Sequence, residues 1–355
     1  MDKFRIDGHK LIYHVPRVSK WLEGEDIYPI YVEIAPSGAC NHRCTYCAVD
    51  FMEYKSTLLD ADILKARLTE MARLGIKSVM YAGEGEPFLH KRIGEIIVHT
   101  RDVGIDVAIT SNGVLFTKKL AEEALSSITW IKISINAGTK DTYAKVHRTD
   151  PRDFDTVIAN ITEAVKIRTA KKLKTAIGMQ MILLPENVAE AVTLARKARD
   201  IGADYLVIKP YSQHPMSITK EYEGLKYDDH YKLGEELSKL STDKFNVIFR
   251  ARTMKKLEAA ERRYRRCHAL PFWSYIDASG NLWACSAYLG DDQFNLGNVM
   301  DDGFEKVWKS EKRKALMAYV AEKLDTEECR VNCRMDEVNG YLWELKNLPE
   351  HVNFI

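Results

Sequence analysis

No segment of this chain approaches the roughly 18 uninterrupted apolar residues that a membrane span needs. The opening Met1-Asp-Lys-Phe-Arg-Ile-Asp-Gly8 also has no apolar signal core. Both absences point to a cytoplasmic protein with no membrane partner. An excess of one charge sign is missing too, since 52 lysines and arginines nearly cancel 51 aspartates and glutamates. No net field then draws the chain to nucleic acid, and the run Arg262-Arg263-Tyr264-Arg265-Arg266 reads as a solvated helix face. Internal repeats and low-complexity segments are absent. What remains is 355 residues, 46% of them hydrophobic, enough for one large domain and a smaller one with an ordinary core.

Cysteine is scarce, yet none is spare. Cys40, Cys44 and Cys47 form C-x3-C-x2-C, and Cys267, Cys285, Cys329 and Cys333 form a second group, which accounts for all seven. In a reducing compartment, clustered cysteines serve more often as metal ligands or catalytic thiols than as disulfides. Three thiolates leave one iron of a four-iron cube without a protein ligand, whereas four close a site. Zinc is the alternative at both places: with a distant fourth ligand at the first, and with two cysteine pairs at the second. His42 lies too close in sequence to its neighbours to close a tetrahedron easily.

Between Ile30 and Pro210, short β-branched runs alternate with helical patterns, the signature of βα units around a parallel sheet. Six strands are predicted: 30–35, 78–82, 106–110, 130–135, 176–183 and 205–209. The clearest helix runs from Phe154 to about Lys172, capped by Asp153. The polar segment Tyr211 to Asp229 is a boundary or an active-site loop. A hairpin follows, from Phe272 to Ile276 and Leu282 to Cys285, turning at Asp277-Ala-Ser-Gly280-Asn281. The tail residues Tyr341, Leu342, Trp343, Leu345, Leu348 and Phe354 are expected to pack back onto the protein.

Every polar or glycine-rich signature in the first two thirds falls at the C-terminal end of a predicted strand, where parallel barrels assemble their sites. In order these are the three-cysteine loop, Gly83-Glu84-Gly85-Glu86-Pro87, Thr110-Ser111-Asn112-Gly113, Ser134-Ile135-Asn136, Gln180 with Pro185-Glu186-Asn187, and Lys209-Pro210-Tyr211. Glycine, asparagine and proline are ordinary turn formers after strands. Six placements in register are harder to dismiss.

With Tyr46 as the aromatic in C-x3-C-x-aromatic-C, residues from about Ile30 to Tyr211 resemble the radical S-adenosylmethionine (SAM) enzymes. The resemblance implies an α/β fold, a partial (β/α)6 TIM-like barrel. It also implies a 4Fe-4S cluster on Cys40, Cys44 and Cys47, whose open iron chelates SAM and whose electron yields a 5′-deoxyadenosyl radical. An external one-electron reductant such as a flavodoxin or ferredoxin follows as a partner. Gly83, Gly85 and Glu86 supply carbonyl and carboxylate acceptors for the SAM ammonium, although the family's G-G-E-P reads Glu84-Gly85-Glu86-Pro87 here. By the same resemblance Ser134, Asn136 and Arg148 are candidates for the ribose and carboxylate, Tyr46 and Leu184 lie beside adenine, and Asn112 joins the cofactor set.

The C-terminal pattern C-x12-G-x4-C from Cys267 through Gly280 to Cys285, followed by Leu296-Gly297-Asn298-Val299 and Trp308, resembles the SPASM and twitch extensions that carry auxiliary iron-sulfur clusters. With only Cys329-x3-Cys333 downstream, the twitch form with one auxiliary 4Fe-4S cluster fits better than a two-cluster SPASM. The implied division is 1–29 as an N-terminal extension, 30–250 as the barrel, 251–340 as a small α+β auxiliary domain and 341–355 as a tail.

A second cluster that accepts an electron turns hydrogen abstraction into a two-electron oxidation, as in the aminocyclitol dehydrogenase of the twitch type. No cysteine is left to quench a product radical, and too few residues precede the first strand for a leader-peptide domain. The expectation is therefore an oxidoreductase of dehydrogenase type acting on a sugar, nucleotide sugar or aminocyclitol. Lys209, Tyr211, Gln213 and His214 would hold hydroxyls or a phosphate, with His214 as base. A peptide-modifying maturase and a non-catalytic iron-sulfur or zinc protein are the competing readings.

Overall fold

The computed structural model describes residues 5–6, 8–259 and 262–354. Ten strands share one sheet: β1 Tyr31–Ile34, β2 Ser78–Tyr81, β3 Asp106–Ser111, β4 Trp130–Ser134, β5 Ala176–Leu183, β6 Tyr205–Pro210, β7 Asn246–Phe249, β8 Trp273–Ile276, β9 Asn281–Trp283 and β10 Asn295–Asn298. Their order is β10-β9-β8-β1-β2-β3-β4-β5-β6-β7. All pairings from β8 to β7 are parallel, while β9 and β10 continue antiparallel as hairpins. The barrel is partial and does not close.

Alternation with period two sets both faces of this sheet. Val32, Val79, Val107, Ile131 and Ile177 are fully buried in the main core with the helices. The intervening residues face the barrel interior, where Met80, Ala82 and Ala108 form a small cluster against Tyr31 and Trp130. Glu33, Lys132, Gln180 and Lys209 occupy this same inward register, which makes the interior polar at its mouth.

The six expected strands are present. The seventh, β7, was not expected, because Asn246-Val-Ile-Phe249 is short and follows a polar segment. The expected hairpin is also present, closed by Asp277, whose carboxylate accepts from the backbone N–H of Ser279 at 2.8 Å and of Asn281 at 2.9 Å. Gly280 needs its φ of +87° there, and a Cβ would meet Met300 at 2.4 Å. Unexpectedly, β8 pairs in parallel with β1, Tyr31 opposite Trp273, so the C-terminal region extends the barrel sheet itself.

Three expectations need correction. The long helix is Arg152–Ala170 and begins after Pro151, so Asp153 lies in its first turn and caps nothing. Its carboxylate instead meets His42 Nε2 at 3.2 Å and accepts from the Thr149 hydroxyl. The basic run 262–266 is not a helix face: Arg262 and Arg266 donate to the carbonyls of Cys329 and Leu324, and Arg263 pairs with Glu337. The tail packs only in part. Leu342, on the helix Asp336–Lys346, buries against Leu11, Val18, Trp21 and Phe272, whereas Leu348 and Phe354 are exposed.

Candidate active site and cysteine clusters

The loop after β1 carries Cys40, Cys44 and Cys47, and its backbone is tied down on three sides. Arg43 and Thr45 donate their N–H groups to the carbonyls of His147 at 3.1 Å and Val146 at 2.9 Å. Glu86 N–H donates to Ala39 O at 2.8 Å, and the Asn112 amide donates to Asn41 Oδ1 at 2.7 Å. Against this loop packs the segment after β6. Asp50 accepts from Ile218 N–H and Thr219 N–H, both at 2.8 Å, and Ser217 donates to Cys47 O at 3.1 Å.

Burial pushes the Cys40 thiol up to about 11 and raises those of Cys44 and Cys47. Buried thiols become thiolates when a bound metal supplies the compensating charge, so this donor set fits a thiophilic metal centre. Among the described residues, His42, Cys44 and His147 also have ligand atoms close enough to hold one ion, a set that leaves out Cys40 and Cys47, while His42 Nε2 meets Asp153 Oδ2 at 3.2 Å.

Around this loop the signatures converge. Gly85 lies so close to the chain before Cys40 that an added Cβ would stand 2.1 Å from Ser37 O and 2.5 Å from Ala39 O. Gly83, at φ +119°, has the Tyr275 hydroxyl 2.4 Å from where a Cβ would be. The Glu86 carboxylate is already engaged by Ser111 Oγ at 2.7 Å, Asn112 N–H at 2.8 Å and Phe88 N–H at 3.1 Å. It therefore braces the loop after β3 and leaves the contacts to an ammonium to backbone carbonyls.

Asn136, buried at φ +51°, donates to Tyr46 Oη at 2.6 Å and accepts from Ile182 N–H at 2.7 Å. Tyr46 and Leu184 share one apolar cluster. Ser134 accepts from Gln180 Nε2 at 3.4 Å, and Gln180 Oε1 is buried without a partner. Arg148 ends the helix Lys140–His147, but its side chain is exposed and faces Glu221 at 3.6 Å.

Cys267, Cys285, Cys329 and Cys333 line one mainly apolar cavity with Leu270, Trp273 and Phe294. Burial raises Cys267 to about 12 and holds Cys285 and Cys333 above the usual thiol range. Four thiols in an apolar shell suit a fully protein-ligated cluster.

Of the loop residues after β6, Lys209 and Tyr211 line a cavity of about 430 Å³ that reaches from Tyr46 and Ala48 to Ser286 and Cys333. Tyr211 donates to Gln213 Oε1 at 2.8 Å, and Gln213 in turn donates to Thr219 O at 2.9 Å. His214 is not placed as a base. Its ring is buried against Phe51, Nε2–H donates to Ser286 O at 2.9 Å, and Nδ1 accepts from Met216 N–H at 3.1 Å. Nε2 fastens the loop to the segment after β9, and Nδ1 is taken up by a bond within the loop itself.

Sequence reasoning missed three partners. His147 places Nδ1 3.2 Å from Cys44 Sγ and donates from Nε2 to Ile135 O at 3.0 Å, and burial lowers its pKa to about 3, keeping the ring neutral. No spacing rule singles it out. Lys132 could have been found as the one charged residue within the strand Trp-Ile-Lys-Ile-Ser. Glu84, noted only as a departure from a motif, accepts from Tyr275 Oη at 3.0 Å and Ala278 N–H at 3.0 Å, which joins the barrel to the hairpin.

Burial pushes Glu84 from 4.5 up to about 7. A raised folded pKa gives stability that is fully present below about pH 4.5 and is lost as pH rises through 7. Glu84→Gln is expected to flatten the stability–pH curve across this window, a span of about 3 kcal/mol at most. Chemical denaturation at stepped pH checks it, and an unchanged slope refutes it.

Comparison with known proteins agrees with this geometry. Residues 34–198 match the Radical SAM superfamily and residues 267–334 an iron-sulfur cluster-binding domain, SPASM. A GTP 3′,8-cyclase of Chlorobaculum tepidum is 26% identical over 201 residues, 55% of this chain and 58% of that protein. One of Lactiplantibacillus plantarum is 30% identical over 218 residues, 59% and 63% of the two chains. The match thus spans less than two thirds of either relative.

Among solved structures, Streptococcus suis SuiB bound to its precursor peptide SuiA aligns with a TM-score of 0.69 at 17% identity, covering 90% of this chain and 74% of that one. The enzyme anSMEcpe with bound AdoMet aligns with a TM-score of 0.59 at 17% identity, covering 90% and 95%. These likenesses concern the fold. The family's cofactors are a SAM-binding 4Fe-4S cluster and an auxiliary iron-sulfur cluster, and both cysteine groups have the donors to hold them. The chain thus carries a Radical SAM domain over residues 34–198 and a C-terminal SPASM domain over residues 267–334.

Proposed function

We propose that this protein is a radical SAM oxidoreductase that dehydrogenates a small polar metabolite of the sugar, nucleotide sugar or aminocyclitol class. The observation that carries the reading is the 430 Å³ cavity with Tyr46 at one end and Cys333 at the other. Its size is that of a small-molecule pocket. When bound, the first cluster supplies the electron that cleaves SAM to methionine and a 5′-deoxyadenosyl radical, and the auxiliary cluster supplies an acceptor for the second electron of the oxidation.

The chain's own residues do the rest. Cys40, Cys44 and Cys47 ligate the first cluster, and Cys267, Cys285, Cys329 and Cys333 ligate the auxiliary one in a twitch-like arrangement. The carbonyls of Gly83 and Gly85 accept from the SAM ammonium, while Ser134 and Asn136 orient the nucleoside. Lys209 and Tyr211 bind substrate at the cavity wall. The loop after β6 excludes water by its bonds to Asp50 and Ser286. An external flavodoxin or ferredoxin delivers the electron.

A second reading draws on the relatives named GTP 3′,8-cyclase, whose name denotes ring formation. Product mass separates the two: dehydrogenation removes two hydrogens, whereas cyclisation by rearrangement conserves mass. Anaerobic turnover with deuterated candidate substrates is expected to place deuterium in 5′-deoxyadenosine and give a product lighter by one H₂ equivalent. A product of unchanged mass would overturn the dehydrogenase reading, and modification only of a peptide would overturn the metabolite reading.

A further inference from the structure

The inward face of β4 and β6 carries two lysines that the fold does not use. Lys132 and Lys209 line the cavity between the cysteine groups, together with Arg250 and Arg330. Among the described residues neither lysine has a hydrogen-bond or ion-pair partner, and Lys132 has only the Trp130 ring, 5.6 Å from its Nζ. The acids in the same cavity are already committed, Asp336 and Glu337 to Lys256 and the neighbouring Glu33 to Arg334. Arg330 donates to Ser212 Oγ at 3.0 Å and to Ser212 O, both neutral acceptors.

Two buried lysines without a counter-charge cost stability. Burial, with repulsion from Arg250, lowers the pKa of Lys132 to about 8, and burial, with repulsion from Lys132, Arg250 and Arg330, drives Lys209 well below its ordinary value. A fold that retains such a pair has a ligand to neutralise it.

We propose that this cavity binds a phosphoryl group of the substrate, with Lys132 and Lys209 as its principal ligands and Arg330 at its rim. Two ammonium groups and a guanidinium, with the acids among the described lining residues paired elsewhere, match a dianion better than a single carboxylate. The inference rests on the cavity assigned above and narrows its occupant to a phosphorylated small molecule. Lys132 has not been given a role in the reaction, and its part is to bind and position.

The test is calorimetric titration of inorganic pyrophosphate into the reconstituted holoenzyme with SAM already bound, so that the SAM carboxylate is accounted for. Wild type is expected to bind pyrophosphate in preference to citrate. Lys132→Met and Lys209→Met are each expected to weaken binding roughly tenfold or more. Without pyrophosphate, the same variants are expected to melt higher than wild type, because an unpaired buried charge has gone. If a methionine variant does not fold, Lys209→Gln serves in its place.

Absence of binding to wild type, binding unaffected by both substitutions, tighter binding of citrate, or variants that melt lower than wild type would each overturn the proposal. Pyrophosphate binding is read without turnover. Its failure alongside intact SAM cleavage sinks this inference alone, and its success with a product of unchanged mass sinks only the dehydrogenase reading.

Discussion

Cys44→Ala protein, reconstituted anaerobically with iron and sulfide, is expected to lose reductive SAM cleavage by roughly a thousandfold or more. It should still retain about four irons per chain, those of the auxiliary site. The argument is one of rigidity. The residues on either side of Cys44 are pinned by N–H donation to His147 O and Val146 O, so the loop cannot swing another donor into the gap. Two thiolates then remain where three are needed, while the C-terminal four line a separate cavity. Chromatographic assay of 5′-deoxyadenosine and colorimetric iron analysis check both halves. Undiminished cleavage would remove this loop from the chemistry.

Gly85→Ala is expected to have the second largest effect, because the new methyl group would meet backbone. It would lie 2.1 Å from Ser37 O, 2.5 Å from Ala39 O and 2.8 Å from Gly38 C, none of which is the end of a flexible side chain. Residues 37–39 would have to move, dragging Cys40 and breaking the 2.8 Å bond from Glu86 N–H to Ala39 O. Overpacking of this kind costs about 3 kcal/mol or more, and SAM affinity should fall with it. Gly104 is the control: it has φ +90° but nothing within 4 Å of a built Cβ, so Gly104→Ala should cost only about 1 kcal/mol. Denaturation midpoints for the two variants, together with SAM titration, decide the matter. Equal losses would mean that close approach at Gly85 is unimportant.

Local chemistry was legible from sequence wherever one element carried it. The six strands, the loops at their C-terminal ends, both cysteine groups and the Asp277 turn follow from periodicity and turn preference. What was not legible depends on pairings between distant segments. Nothing in Trp273-Ser-Tyr-Ile276 announces that it will lie beside β1, since the same apolar alternation suits a hairpin partner equally well. His147 reaches Cys44 only because the helix Lys140–His147 ends over the loop. His214 looked like a base while its neighbours were unknown, and the carbonyl of Ser286, 72 residues on, accepts a hydrogen bond from its Nε2–H. Lys132 was overlooked because a lone lysine in a strand counts as noise until the opposite wall of the barrel proves to bring further cations and no free acid.

The pairing of β1 with β8 also bears on how the protein is made. Tyr31–Ile34 finds its outer partner only when Trp273–Ile276 has been synthesised. At ~5–20 residues per second, the nascent barrel waits on the order of ten to fifty seconds with one raw strand edge, the one that leads into the first cysteine loop. An unpaired edge templates mis-pairing. Chains truncated before Trp273 should therefore aggregate, because the β1 edge beside the first cysteine loop stays unpaired.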